Sequence, residues 1–114
     1  MTDSHSVRPG EASRTWTEPN GDSVIVRAVG ELDVASAPSF EEELRHALAT
    51  DASAIVVDLA RVTFMDSTGL RALLVATGTS NMNSTRVGVR RELTTAVQRT
   101  LQVTGMAEKL PFVD

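Results

Sequence analysis

One segment of the chain, residues 54–74, constrains the fold more than any other. It begins with the continuous apolar run Ile55-Val56-Val57, which is typical of a parallel strand covered on both faces. It then passes through Asp66-Ser67-Thr68-Gly69 into an apolar helical stretch that we expect to end at Gly78. A strand followed directly by a helix predicts an α/β architecture with right-handed crossovers.

Similar signals extend along most of the chain. A hairpin is predicted within residues 15–33, with its turn at Asn20-Gly21, because both residue types tolerate positive φ. A helix is predicted over residues 36–49, with Ser36 as its N-cap. The remaining predicted elements are a strand within 85–91, a helix over 93–104 that stops at Gly105, and an edge strand within 109–114. The expected fold is α/β, a small mixed β-sheet with about three to four helices packed against it, in the order β-β-α-β-α-β-α-β.

The length and charge of the chain limit its organisation and its partners. The 114 residues suit one domain, predicted over 14–114 and preceded by a flexible tail over 1–13, which is poor in apolar residues. A net charge of −4 argues against nucleic acid as a partner. The absence of cysteine excludes disulfides. No apolar run approaches the roughly 18–20 residues of a membrane span, and no signal-peptide pattern opens the chain, so we expect no membrane association and a cytoplasmic location.

The residues around position 67 do not form a recognisable catalytic group. A serine nucleophile needs a base, whereas the two histidines are His5 in the predicted tail and His46 within a predicted helix. Asp66 lacks the second carboxylate of an aspartic protease. Asp58, after the apolar run, is expected to hold the turn that follows its strand. The sequence therefore predicts a protein that is not an enzyme, with no catalytic residue and no metal site.

The hydroxyl of Ser67 is interpreted instead as a group that another protein can modify. Asp66 is expected to cap the helix by accepting backbone N–H bonds from Thr68 or Gly69, which makes Ser67 the first helical residue. With Leu70 and Leu73 facing the core, Ser67 lies with Arg71 and Val75 on a different face, at four-residue spacing. Spacing alone leaves two readings open: a capped helix start, or an exposed acceptor of phosphate.

The sequence resembles a known family over residues 14–114. The stretches VGELDVASAPSFEEEL, IVVDLARVTFMDSTGLRALL and AVQRTLQVTGMAEKLPFVD resemble the STAS domain of bacterial anti-sigma factor antagonists. The resemblance implies that the unphosphorylated form binds an anti-sigma factor that is also a serine kinase, which releases the sigma factor. It also implies that phosphorylation at Ser67, with Thr68 as a competing acceptor, switches binding off and that a serine phosphatase resets the protein. ATP and Mg²⁺ would belong to the kinase, so the resemblance implies no cofactor for this chain.

The expected contact surface surrounds Ser67, because the ends of parallel strands meet at one edge of a sheet. Its predicted members are Asp33, Val34, Ser36, Asp66, Ser67, Thr68 and Arg71. An alternative function stays open, namely a STAS scaffold or sensor module of a stressosome-like or nucleotide-binding kind. The sequence also leaves open which sigma factor is controlled and whether the chain forms a homodimer.

Overall fold

The computed structural model describes residues 13–83 and 86–113, and of residues 79–83 the backbone only. The predicted tail, residues 1–13, thus lies outside the described residues except for Ser13. The Ser13 hydroxyl donates to the backbone oxygen of Glu31 at 2.5 Å and accepts from the Glu31 backbone N–H at 2.8 Å. Ser13 is therefore bonded to the end of β2, one residue before the predicted start of the domain.

The elements follow the predicted order. They are β1 (Arg14–Asn20), β2 (Ser23–Leu32), α1 (Ala37–Leu48), β3 (Ala54–Met65), α2 (Ser67–Asn83), β4 (Arg86–Arg90), α3 (Thr95–Thr104) and β5 (Phe112–Val113). The strands form one sheet in the order β1-β2-β3-β4-β5. The β1–β2 pair is antiparallel, and the other three pairs are parallel. The prediction of a mixed β-sheet with about three to four helices is confirmed, with three helices in the described part of the chain.

The hairpin turn lies one residue later than predicted. Asn20 pairs with Ser23 as the last rung of the β1–β2 ladder, so the two turn residues are Gly21 and Asp22. Gly21 adopts a φ of +64°, which a residue with a Cβ rarely adopts. Gly21 correctly predicted the position of the hairpin, but Asn20 belongs to the strand pairing and not to the turn.

The helices share one hydrophobic core against a single face of the sheet. All three contribute to one buried cluster that also contains residues of β2, β3 and β4, for example Phe40, Leu73, Leu101 and Val57. Val56, which alternates with the buried residues of β3, is only half-buried. The expectation that β3 would be covered on both faces was therefore wrong for the described part of the chain.

The predicted end of α2 was wrong, whereas the predicted N-cap of α1 is confirmed in its position but not in its side-chain bond. The helix α2 continues past Gly78 to Asn83, because a glycine inside a helix costs only about 1 kcal/mol and Gly78 does not adopt a positive φ. Ser36 occupies the N-cap position of α1, but its side chain makes no capping hydrogen bond. Its hydroxyl is bound to β2 instead, as described below.

The helix α3 protects the end of β3 that β4 leaves unpaired. β4 pairs with β3 only over Ala54–Val57. Further along β3, the Thr94 hydroxyl donates to the backbone oxygen of Val62 at 2.7 Å, and the Thr100 hydroxyl donates to that of Met65 at 2.9 Å. These bonds satisfy carbonyl groups that an edge strand would leave exposed.

A row of charged side chains crosses the sheet face opposite the helices. Asp58 is buried with 8% exposure, and its carboxylate contacts both Arg27 and Arg90, the latter at 3.4 Å. Its other oxygen accepts the Ala60 backbone N–H at 2.9 Å, next to an irregularity in the β2–β3 register. Because β3 continues to Met65, Asp58 does not follow a strand end as expected. It has a structural role inside the strand.

The row continues onto β1 through Glu18. Its carboxylate accepts hydrogen bonds from the Trp16 indole at 2.8 Å and from Arg27 Nε at 3.0 Å. The indole bond first, and then the arginine, lower the pKa of Glu18 below its ordinary value. A lowered carboxyl pKa means that this contribution to stability is present at neutral pH and is lost as the pH falls through that pKa.

We expect Asp58→Asn to lower the free energy of unfolding by about 2 kcal/mol, because it removes the charge that Arg27 and Arg90 share. Urea denaturation at pH 7 measures this loss. Asp51→Asn, at an exposed position before β3, is the matched control and should change stability by less than about 0.5 kcal/mol. Equal effects of the two substitutions would contradict the structural role of Asp58.

Candidate partner-binding site

The candidate site is built where β2 and β3 end side by side. Leu32 pairs with Met65 as the last rung of the parallel ladder. Immediately beyond that rung, the Asp66 backbone N–H donates to the Leu32 backbone oxygen at 3.1 Å. The residues that follow the two strands, Asp33 and Asp66, therefore leave the sheet at the same edge. We call Leu32, Asp66 and Gly69 the strand-end junction.

Gly69 lets the start of α2 lie directly on the end of β2. A Cβ at this position would lie 2.7 Å from the backbone oxygen of Leu32 and 2.8 Å from its Cβ. Real Cβ atoms do not approach other atoms so closely, so only glycine fits without moving the helix. The glycine of the Asp-Ser-Thr-Gly stretch thus has a packing role that sequence analysis did not identify.

Asp66 caps α2 as predicted. Its carboxylate Oδ1 accepts the backbone N–H of Thr68 at 2.9 Å and that of Gly69 at 3.2 Å. Ser67 is the first residue of α2 and its side chain is exposed, whereas Thr68 is half-buried. Among the described residues, the Ser67 hydroxyl makes no side-chain hydrogen bond. Capping is therefore performed by Asp66, and the hydroxyl of Ser67 remains accessible.

A set of hydrogen bonds shapes the β2–α1 loop, which leaves the sheet at the same edge as this helix start. The Ser36 hydroxyl donates to the Glu31 backbone oxygen at 2.6 Å and accepts the Asp33 backbone N–H at 3.0 Å. The Asp33 carboxylate accepts the backbone N–H groups of Ala35 at 3.1 Å and of Ser36 at 3.2 Å. Asp33 and Ser36 thus shape the loop, while Val34 projects from it with 72% exposure.

The exposed residues near the junction form a mixed polar and apolar surface. Arg71 is exposed one helical turn after Ser67, and Val75, a further turn along, is 56% exposed. Leu70 and Leu73 are buried, so the predicted division of α2 into a core face and an outer face is confirmed. We call Val34, Ser67 and Arg71 the outer surface of the site. The other predicted members, Asp33, Ser36 and Asp66, are half-buried and hold its backbone, while Thr68 is half-buried beside them.

The structure brings no described histidine to Ser67. His46 lies near the C-terminal end of α1, where its Nε2 contacts Glu42 Oε2 at 3.1 Å. His5 lies outside the described residues. Within residues 13–83 and 86–113, no group of three or more histidine or acidic side chains could hold a metal ion. In the same part of the chain, no helix is long and apolar enough to cross a membrane.

A comparison with protein-family models identifies the fold family. The model described as "Mlab, STAS domain" matches residues 17–113, which include the whole site and almost every described element. The chain belongs to the STAS domain family. The STAS fold expected from the sequence is therefore confirmed. The relatives described next confirm the resemblance to anti-sigma factor antagonists.

Similar STAS proteins are anti-sigma factor antagonists. The anti-sigma-F factor antagonist RsfB of Mycobacterium tuberculosis is 33% identical over 81 residues, which are 71% of this chain and 65% of RsfB. The match thus spans slightly less than two thirds of that relative.

Two solved structures share the architecture. An anti-sigma factor antagonist from Mycobacterium paratuberculosis superposes with a TM-score of 0.80 at 27% identity, covering 93% of this chain and 89% of that one. SpoIIAA in its unphosphorylated form has a TM-score of 0.71 at 21% identity, covering 89% and 87% of the two chains. The Bacillus protein SpoIIAA has also been solved in its phosphorylated form.

Two glycines of α2 give a direct test of the strand-end junction. We expect Gly69→Ala to destabilise the protein by about 2 kcal/mol, because the added methyl group forces α2 away from Leu32. Gly78→Ala is the control, since a Cβ there meets nothing within 4 Å, and it should stabilise the helix by about 0.5–1 kcal/mol. Thermal and urea unfolding measure both. A stabilising Gly69→Ala would contradict the described contact.

Proposed function

We propose that this chain is an anti-sigma factor antagonist whose binding to its partner is switched off by phosphorylation of Ser67. In this proposal the unphosphorylated chain binds an anti-sigma factor that is also a serine kinase, and the bound sigma factor is released. The observation that carries the proposal is the exposed Ser67 hydroxyl, which stands at the start of α2 on a backbone held by Asp66, Leu32 and Gly69.

The fold can accept a phosphate at Ser67. A phosphoserine carries about −1.5 to −2 charges at neutral pH. The helix N-terminus favours that charge by about 0.3–1 kcal/mol, whereas the neighbouring Asp66 carboxylate opposes it. These two effects oppose one another, and the side chain is already exposed to water. Phosphorylation should therefore change the stability of the free domain little.

A bound partner responds differently to the same group. At a packed interface the phosphate has to lose its water, which costs several kcal/mol unless a counter-charge is present. A loss of about 4 kcal/mol weakens binding roughly a thousandfold. Phosphorylation therefore opposes binding far more than it opposes folding, which is the property that a reversible switch requires.

The surroundings of Ser67 suit a substrate of a kinase better than a catalytic serine. The γ-phosphoryl group would pass from ATP to Ser67 Oγ, the hydroxyl proton would pass to a base of the kinase, and ADP would leave. ATP and Mg²⁺ belong to the kinase in this scheme, so the chain itself needs no cofactor and no histidine beside Ser67. A serine phosphatase would restore the hydroxyl by hydrolysis.

The relatives support this assignment. RsfB carries the name of an anti-sigma-F factor antagonist, and SpoIIAA, which has the same fold, exists in unphosphorylated and phosphorylated forms. The outer surface offers an apolar contact at Val34, which is 72% exposed. A partner that docks at the strand-end junction can reach both Val34 and Ser67, because each follows within two residues of the hydrogen bond between Leu32 and Asp66.

Incubation with a candidate kinase and ATP should add one phosphate to the chain, at Ser67. Intact mass spectrometry and peptide mapping measure the modification. Ser67→Ala should abolish it, because the acceptor oxygen is gone. Thr68→Val should leave it intact, because Thr68 is half-buried. Phosphate on Thr68 in the parent chain would contradict the assignment of the acceptor.

Ser67→Asp should weaken binding to the anti-sigma factor at least about tenfold, because the substitution places a negative charge in the contact. The unfolding free energy should change by less than about 0.5 kcal/mol, since an acid is favourable at a helix N-terminus. Calorimetry and urea denaturation measure the two quantities. Ser39→Asp is the control: Ser39 is also exposed in a first helical turn, but it lies beside Thr15 and Glu43 on the β1 side. Unchanged affinity of Ser67→Asp would refute the switch.

A further inference from the structure

Arg71 is the cation nearest in sequence to the proposed phosphorylation site. It lies four residues after Ser67 on the outer face of α2 and is exposed. Within the described part of the chain, its side chain makes no hydrogen bond or ion pair. Two other arginines near the ends of elements are already engaged, Arg45 with Glu42 and Arg90 with Asp58.

The charges around the junction are otherwise negative. The two segments that meet there, residues 31–36 and 66–71, contain Glu31, Asp33 and Asp66, and Arg71 is their single basic residue. One oxygen of each of the Asp33 and Asp66 carboxylates, Oδ1, accepts two backbone N–H groups. Arg71 is therefore a cation without an assigned partner at the site where the proposed function introduces an anion.

We propose that Arg71 is the intramolecular partner of phosphoserine 67. On phosphorylation its guanidinium turns back by one helical turn and pairs with the phosphate. The modification then changes the outer surface twice: it adds a negative group at position 67 and withdraws the positive group that Arg71 offers to the partner. This inference rests on the proposed function, because it assumes that Ser67 is the residue that is phosphorylated.

The geometry of the helix favours this pair. Side chains four residues apart lie about 5–6 Å from each other, and the arrangement with the anion nearer the N-terminus is the better one. A guanidinium can donate two parallel hydrogen bonds to phosphate oxygens, which an ammonium cannot do with the same planar geometry. The pair also offsets the repulsion between the phosphate and Asp66, so the free domain tolerates the modification.

The pair has a direct consequence for binding. In the unphosphorylated chain, Arg71 stands between Ser67 and Val75, within the surface that a partner covering Ser67 would reach. There it fits an acidic side chain of that partner. Once Arg71 is paired with the phosphate, that acidic group faces a net negative site instead. Arg71 thus increases the difference in affinity between the unphosphorylated and the phosphorylated chain.

The pair can be tested without the kinase, by incorporating phosphoserine at position 67 during synthesis of the full chain. The second pKa of the phosphate is then measured by ³¹P NMR titration. We expect this pKa to be about 0.2–0.4 lower in the parent than in Arg71→Gln, because pairing favours the dianion. Arg71→Lys should restore part of the shift. Arg99→Gln, an equal change of net charge on α3, should leave the parent value unchanged. Identical titrations of the parent and Arg71→Gln would overturn the pair.

The effect on binding is measured with the unphosphorylated chain and the purified anti-sigma factor. Arg71→Gln should weaken binding of the unphosphorylated chain about three- to tenfold. It should also reduce the factor by which phosphoserine at position 67 lowers the affinity. Arg99→Gln should have neither effect. Unchanged affinity in Arg71→Gln would overturn the role of Arg71 in docking. If the parent does not bind any anti-sigma factor while the phosphate titration still shifts with Arg71, the proposed function fails and the pair stands.

Discussion

The candidate site depends on one backbone contact, the hydrogen bond from the Asp66 N–H to the Leu32 oxygen. This bond continues the parallel pairing of β2 and β3 by one step after both strands have ended. Gly69 then brings the first turn of α2 against Leu32. Because the core residues of both strands are buried on the helical side, the junction is held by the whole domain. The position of Ser67 is therefore determined by packing rather than by its own side chain.

The same principle explains why the surface can change without affecting the fold. Asp66 and Ser36 bind backbone groups, and each of them replaces water at a polar atom that folding would otherwise leave unsatisfied. Ser67, Val34 and Arg71 take no part in these bonds. The side chains that stabilise the site and the side chains available to a partner are different residues. A covalent change at Ser67 can consequently act on binding with little effect on the free energy of unfolding.

Sequence patterns predicted the fold well where one local rule acted alone. The apolar run of β3, the Asp66 cap and the αL residue Gly105 all follow from the chemistry of a few neighbouring residues. The predictions failed where distant residues decided the outcome. Ser36 is a good capping residue, but the Glu31 oxygen takes its hydroxyl. The packing role of Gly69 depends on Leu32, thirty-seven positions away in the chain, and no single sequence shows such a contact.

The sheet face that carries Asp58 and the sheet edge where β2 and β3 end use charge in opposite ways. On the face opposite the helices, Asp58 is shared between Arg27 and Arg90, and Glu18 also binds Arg27, so the charges neutralise one another and stabilise the sheet. At the edge where β2 and β3 end, Asp33 and Asp66 accept backbone N–H groups, and Arg71 makes no side-chain pair within the described residues. A phosphate added at this edge finds Arg71 without a pair among the described residues, so it can change which charges are paired there. A surface of this second kind is suited to switching, whereas the first kind is suited to stability.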